Sequence, residues 1–215
     1  MKLGIVYTYI SLLIFLLMTS CHRTEITYYP SGKIASKITY HSKMMDGNAY
    51  WYYENGTPSV EAVYKKGQLH GKMLRYYRNG KIETECFYQN DTLEGQFLSY
   101  NEQGVLGLQC AYEHGKKNGA YREYYDDGSN YIVGFYNQDQ IDGHWTYYDY
   151  DGYEVAHADF KNGNGVLTSY KNGVLYTEVE YKNSIKDGNE IYYLPNGEIE
   201  KIQTYKNGQI IIANN

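Results

Sequence analysis

Hydrophobic and polar residues alternate along short segments of this chain, and glycine-containing segments separate them. In one such segment Ile34, Ser36, Ile38 and Tyr40 occupy alternate positions, and the residues between them are mainly polar. A period of two with one apolar face is typical of a half-buried antiparallel strand. Because similar segments recur along the whole chain after about residue 30, the pattern predicts an all-β protein.

The segments belong to a repeat of about 24 residues. One series of glycines keeps this step from Gly32 to Gly152, and a second series begins at Gly47. An aromatic series runs in register with both, from Tyr40 to Phe160, after which one unit is shortened by about three residues. Two glycine series and one aromatic series that stay in register over five or more units predict a repeat protein of about eight units.

Each unit contains two predicted turns. The first ends in a dipeptide such as Asn55-Gly56, whose residues tolerate the positive φ that a tight type I′ hairpin requires. The second, as between Tyr64 and Gly71, is longer and again ends on glycine. Two turns per unit leave strands of about six to eight residues. We therefore expect an elongated, twisted antiparallel meander of repeated β-hairpins.

The first twenty residues differ from all that follow. Lys2 supplies a positive charge, and an apolar run then extends from Leu3 to Met18. This run is shorter than the ~20 residues that a membrane-spanning helix needs. A positive start, an apolar stretch and then small residues are typical of a secretory signal peptide. We expect a signal-peptide helix over residues 1–20.

The sequence Leu17-Met18-Thr19-Ser20-Cys21 resembles a bacterial lipobox, although Met18 stands where leucine is usual. The resemblance implies that Cys21 is lipidated and becomes the mature N-terminus. A lipoprotein cysteine carries the two or more acyl chains that stable membrane attachment takes. The chain would then be anchored in the bacterial cell envelope, at the outer membrane or the periplasmic face. A cleaved signal in which Cys21 has no role is the alternative.

Under this interpretation residues 21–27 are a short tether and residues 28–215 form the repeat domain. The 29 tyrosines account for much of the apolar content, and aliphatic residues are sparse, so a thin sheet is favoured over a thick globular core. From Cys21 onward the chain holds 19 basic and 25 acidic side chains, because residues 1–20 contribute only Lys2. This surplus of negative charge repels phosphate backbones, so we expect no nucleic-acid partner.

The residues with the most reactive side chains fit structural roles. Cys86 and Cys110 are one period apart, which places them about 10 Å apart on alternate strands, beyond the ~7 Å limit for a disulfide. We expect both to be free and buried. Five histidines occupy different phases of the repeat, so no spacing suggests a metal site or a catalytic base: His41, His70, His114, His144 and His157.

A row of mostly oxygen-bearing side chains precedes the second glycine series. Its members are Asp46, His70, Glu94, Asn118, Asp142, Asn164 and Asp187. Such oxygens could bind calcium, but Asp and Asn before glycine commonly cap turns by bonding their own backbone. Successive members should also lie about 10 Å apart. We favour turn capping, and we expect no cofactor, no metal and no enzymatic activity.

The pattern YxxGxxxGxxxxYYxNGxI, as in residues 64–82, resembles the variant MORN repeat of bacterial proteins. The resemblance covers residues 28–215 and implies successive β-hairpins in an elongated sheet. Many proteins with this repeat are labelled YwqK-type antitoxins of toxin–antitoxin systems. An export signal argues against neutralisation of a cytosolic toxin, so an antitoxin-like immunity role is an alternative function here.

We expect a non-catalytic, membrane-anchored scaffold that binds another protein through aromatic residues. Tyrosine supplies a large contact area at low entropic cost. The candidate interaction residues are Trp51, Tyr52, Tyr76, Tyr100, Tyr124, Trp145, Tyr148 and Tyr193. A cell-wall or carbohydrate-binding module with a glycan ligand is a further alternative. The presence of only two tryptophans argues against a glycan cage in every unit.

Overall fold

A computed structural model describes residues 22–211, which form a single antiparallel sheet of 17 strands. The expected signal-peptide helix at residues 1–20, the lipidation site Cys21 and the end of the chain from Ile212 lie outside the described residues. Within residues 22–211, no helix has the length and apolar character that crossing a membrane takes.

The strands follow each other as a meander, in which each pairs antiparallel with the next one along the chain. This architecture confirms the predicted all-β hairpin meander. The strands are β1 (His22–Tyr28), β2 (Ile34–His41), β3 (Met44–Tyr52), β4 (Pro58–Lys65), β5 (Gln68–Tyr76), β6 (Ile82–Gln89), β7 (Thr92–Tyr100), β8 (Leu106–Glu113), β9 (Lys116–Tyr124), β10 (Asn130–Asn137), β11 (Gln140–Tyr148), β12 (Glu154–Phe160), β13 (Gly165–Lys171), β14 (Val174–Lys182), β15 (Ile185–Tyr193), β16 (Ile199–Lys206) and β17 (Gln209–Ile210).

The expected tether is part of the sheet. Residues 22–27 form most of β1, which pairs with β2 from His22 opposite His41 down to Tyr28 opposite Ile34. Thr27 Oγ1 lies 2.6 Å from Ser36 Oγ across this pair. The prediction of a tether is therefore wrong for residues 22–27, because this segment supplies the strand that covers one edge of β2.

The two kinds of turn are reversed relative to the expectation. Asn55-Gly56 lies in a three-residue loop, closed by hydrogen bonds from Tyr53 N to Thr57 O and from Gly56 N to Tyr53 O. Only the glycine of this dipeptide has a positive φ, 93°. This geometry, a type I turn followed by a left-handed glycine, accepts the same dipeptides as a type I′ turn, so the sequence did not distinguish them.

Tight type I′ turns stand at the other edge of the sheet instead. Lys66 and Gly67 have φ values of 51° and 85°, and Asn90 and Asp91 have 50° and 63°. The expected type I′ geometry at the first turn occurs in the shortened unit, where both residues of Asn172-Gly173 have positive φ. In the same shortened unit, the ladder between β12 and β13 has only two paired positions, Ala156 with Ser169 and His157 with Thr168.

The second glycine series lies inside strands, at β-bulges, rather than at the end of a turn. Gly71 belongs to β5, where the register with β4 shifts between Ala62 and Tyr64. Its φ is 130°, and a Cβ atom there would lie 3.1 Å from Val63 Cβ. A side chain is therefore disfavoured by both backbone conformation and space.

Most of the buried side chains lie on one face of the sheet, which we call the core face. Ile38 pairs with Ala49, and Ala49 pairs with Ala62, in a row that continues from hairpin to hairpin. Cys86 and Cys110 belong to this row and are free and buried, as predicted. Burial is the main reason why the pKa of each thiol is raised.

Candidate interaction face

The six candidate tyrosines form a row on the face opposite the core face, which we call the outer face. Each is half-buried and is the last residue of its strand. In most hairpins the register shifts beside the tyrosine, because the facing strand has one extra residue there, as Glu83 does opposite Arg75 and Tyr76. The tyrosine itself keeps the alternation of its own strand. The row comprises Tyr52, Tyr76, Tyr100, Tyr124, Tyr148 and Tyr193.

Side chains of the preceding strand hold several of these hydroxyls. The Tyr193 hydroxyl donates to Glu178 Oε2 at 2.6 Å, and the Tyr124 hydroxyl donates to Gln109 Oε1 at 3.2 Å. Burial, followed by the nearby Glu61 carboxylate, raises the pKa of Tyr76 to about 12. Tyr76 is therefore neutral at physiological pH, and Tyr76, Tyr124 and Tyr193 each have a polar partner on the same face.

The polar partners stand 15 residues before their tyrosines. Glu61, Gln109 and Glu178 keep this spacing to Tyr76, Tyr124 and Tyr193. Glu85 keeps it to Tyr100, on which it acts through its charge. Sequence reasoning missed this column, although the constant spacing was a usable signal. Lys37 and Val133 occupy the same position before Tyr52 and Tyr148, so the acceptor column is interrupted there.

A second set of tyrosines, also missed, links adjacent hairpins at the edge with the three-residue loops. The hydroxyl of Tyr53 donates to the backbone carbonyl of Tyr76 at 2.6 Å. The same bond, at 2.6–2.8 Å, joins Tyr29 to Tyr52, Tyr77 to Tyr100 and Tyr125 to Tyr148. These bonds fix the backbone that carries the outer-face row. The signal was the 24-residue step from Tyr29 to Tyr53 and Tyr77.

The polar row that precedes the second glycine series caps turns. Each side chain caps a turn of the next hairpin and not the backbone beside itself. Asp142 Oδ1 accepts from the backbone of Asn162 at 2.8 Å, and Glu94 Oε2 accepts from that of His114 at 2.8 Å. Each acceptor thus clamps the type I′ turn of the next hairpin, about 20 residues later. Turn capping is confirmed, whereas the expected partner, the residue's own backbone, is wrong, because the bulge turns these side chains toward the neighbouring unit.

The two tryptophans lie on the core face, apart from the tyrosine row. Trp51 is half-buried and packs edge-to-face on Tyr64, with the ring centroids 6.4 Å apart. Trp145 is only 3% exposed and belongs to a core cluster with Tyr121 and Phe160. The expectation that Trp145 contacts a partner is therefore wrong, because alternation along β11 places its ring on the buried side.

Several histidines have carboxylate partners, which their phases in the repeat did not predict. The partner of His144 lies on the neighbouring strand β12, and that of His157 lies on the same strand. His144 Nδ1 lies 2.8 Å from Asp159 Oδ1, and His157 Nδ1 lies 2.7 Å from Glu154 Oε1. At the N-terminal end of the sheet, ligand atoms of His22, His41 and Asp46 all lie within 4.8 Å of one another. This last group could hold a metal ion, and spacing along the sequence did not reveal it.

An open cleft of about 360 Å³ lies beside the shortened unit. Val174, Tyr176 and Leu194 supply apolar walls, and Tyr193 of the outer-face row also lines it. Lys171 Nζ lies 5.6 Å from the centroid of the Tyr176 ring. One end of the row therefore adjoins a concave, mainly apolar surface.

Comparison with known proteins bears on the repeats. None of the curated proteins matches the chain. Among solved structures, a Tc holotoxin pore of Photorhabdus luminescens is similar over 80% of this chain, with 12% identity and a TM-score of 0.21. Our chain spans only 12% of that chain's length, and this likeness carries no argument about function.

A family model described as MORN repeat variant matches residues 24–42, 45–66, 69–90, 166–183 and 186–207. Hairpins of the same kind continue between the matched segments, through β7 to β12. The matched family describes a repeat and not an enzyme. By sequence and fold, the chain is thus an all-β repeat protein in which five segments match the MORN repeat variant.

Proposed function

We propose that this chain is a non-catalytic scaffold, anchored to a bacterial envelope membrane through lipidated Cys21, that binds another protein. The outer-face row of tyrosines is the observation that carries the proposal. Several of its rings are held by a carboxylate or an amide before any partner arrives. A fixed aromatic side chain loses little entropy on binding, which favours an interaction surface.

Other residues of the outer face support the same role. Phe87 and Phe135 are each 43% exposed, and they lie on the opposite side of their strands from the core-face residues Cys86 and Gly134. These exposed rings share the outer face with the tyrosine row, and exposed aromatic side chains are typical of interaction surfaces. Because Glu61 and Glu178 border the row, the favoured partner presents basic or hydrogen-bond-donating groups.

Removing two central tyrosines should release the partner. We expect the Tyr100→Ala, Tyr124→Ala double variant to lose a protein that cross-links to the unaltered chain in intact cells. Interface tyrosines that act as hot spots contribute about 2 kcal/mol or more each, so recovery by mass spectrometry should fall at least about tenfold.

Tyr153→Ala provides the matched control, because Tyr153 is 71% exposed yet lies outside the row. This variant should retain the partner, and circular dichroism should show that all the variants keep the sheet. Equal recovery from the double variant and from the control would contradict the proposal. Binding to a glycan array without any cross-linked protein would favour the carbohydrate-binding alternative.

Membrane attachment should depend on Cys21 alone among the three cysteines. In the Cys21→Ser variant we expect no incorporation of radiolabelled palmitate, and the chain should leave the membrane fraction. Cys86→Ala is the control, because this thiol is buried in the sheet and should not be acylated. Labelling of the Cys21→Ser chain, or an unlabelled wild-type chain, would overturn the lipoprotein assignment.

A further inference from the structure

Three metal-ligating side chains converge where the sheet begins. His22 of β1 lies directly opposite His41 of β2, and their rings stack with centroids 5.0 Å apart. A two-residue turn leads into β3, where the bulge at Gly47, with a φ of 109°, follows Asp46. Three consecutive strands thus deliver two imidazoles and one carboxylate to the same place.

We propose that His22, His41 and Asp46 bind a divalent transition-metal ion, for which Zn²⁺ fits the donor set best. Asp46 Oδ1 lies 3.9 Å from His22 Nε2, and Asp46 Oδ2 lies 3.9 Å from His41 Nδ1. Zinc binds imidazole nitrogen and carboxylate oxygen at about 2.0–2.2 Å in a tetrahedral arrangement, which spaces its ligands about 3.3–3.5 Å apart. Small side-chain rotations therefore suffice to close the site, and His22 is exposed and can move.

The geometry differs from that of an ordinary histidine–carboxylate pair. His144 and His157 each approach a carboxylate to 2.7–2.8 Å, so hydrogen bonds use those nitrogens directly. The 3.9 Å separations around Asp46 are too long for hydrogen bonds. Each carboxylate oxygen faces a different imidazole across a gap in which an ion could make both contacts, and Oδ2 also accepts from the backbone N–H of Lys66 at 3.4 Å.

A bound ion would join β1 to β2 and β3. Because β1 is an edge strand whose residues are all exposed, it has little packing of its own to hold it. Three protein ligands also leave a fourth position for water or for a group of another molecule. An ion that binds only the folded state stabilises that state by mass action, so zinc should raise the melting temperature.

The test uses the full chain in detergent micelles, stripped of metal and titrated with ZnCl₂ against a chromogenic chelator. We expect one high-affinity Zn²⁺ per chain and a higher melting temperature in its presence. His41→Gln and Asp46→Asn should each weaken binding at least about tenfold, since loss of even an outer-shell partner costs 10–100-fold. Added zinc should not raise the melting temperature of either variant.

The His144→Gln, His157→Gln double variant is the control, because it removes a stacked histidine pair but leaves the three proposed ligands. It should bind zinc like the unaltered chain. If His41→Gln does not fold, His22→Gln on the edge strand replaces it. Absence of zinc binding, binding that survives loss of the ligands, or equal loss in the control would each overturn the proposal.

Discussion

Replacing Trp145 by alanine should lower the free energy of unfolding by about 3–5 kcal/mol, the range for large aromatic side chains lost from a core. The indole packs against Tyr121 and Tyr136, with ring centroids 5.6 and 5.2 Å away. Its Nε1 also donates to the backbone carbonyls of Phe135 and Asp142 at 3.2 and 3.1 Å. Alanine would leave a cavity and two carbonyls without this donor.

The loss should be local, because each unit of a repeat protein contacts mainly its neighbours. Hydrogen exchange should show protection falling most in β10, β11 and β12 and least in β3 to β5. Trp51→Ala is the comparison, because Trp51 is only half-buried and should cost clearly less. Equal costs for the two tryptophans, or a uniform loss of protection, would show that Trp145 does not organise this part of the sheet.

Alternation along the chain was enough to predict the faces of many strands. Cys86 and Cys110 follow the same period-two pattern as Ile38, and all three are buried on the core face. The pattern also contained the placement of Trp145, which lies in the same phase as Ala49 and Tyr121. Position in the repeat, and not the chemistry of the indole, decides which face Trp145 occupies.

The turns were less predictable, since one dipeptide suits two geometries. Asn55-Gly56 and Asn172-Gly173 have the same sequence, yet both residues have a positive φ only in the second. The number of residues between the tyrosine near the end of the strand and the glycine decides between the two geometries. Gly56 follows Tyr52 by four positions, whereas Gly173 follows Tyr170 by three. A local sequence signal does not contain that constraint.

Contacts between units were the least accessible to sequence reasoning. Asp142 bonds a backbone amide 20 residues later, which depends on the bulge that follows it and on the path of the next hairpin. The convergence of His22, His41 and Asp46 depends on β1 joining the sheet, and β1 was expected to be a tether. By contrast, the acceptor 15 residues before Tyr124 follows from the repeat and could have been found.

Replacing Gly134 by alanine should cost about 1–3 kcal/mol, as expected for overpacking of a well-packed core. Gly134 lies in the core-face row beside Trp145, and its φ is not in the left-handed region. A Cβ atom there would lie 2.5 and 2.6 Å from Trp145 Cε2 and Cε3. The backbone or the indole would therefore have to move. Thermal and denaturant unfolding would measure the cost.

Gly107→Ala separates this steric effect from the general effect of removing a glycine from a strand. A Cβ atom at Gly107 would meet only Ser99 O, at 3.8 Å, so alanine there should be neutral or stabilising by up to about 1 kcal/mol. Similar costs at the two glycines would contradict a steric role for Trp145.

A double variant ties the cost at Gly134 to the indole itself. In an equivalent position of its own unit, Ala62 pairs with Met73, so the backbone there tolerates a Cβ opposite a side chain smaller than an indole. Trp145→Phe should therefore recover part of the loss caused by Gly134→Ala, with a coupling of about 0.5–3 kcal/mol. Strict additivity would mean that the two residues do not share this space. Coupling would show that the largest core side chain fits because its neighbour has none.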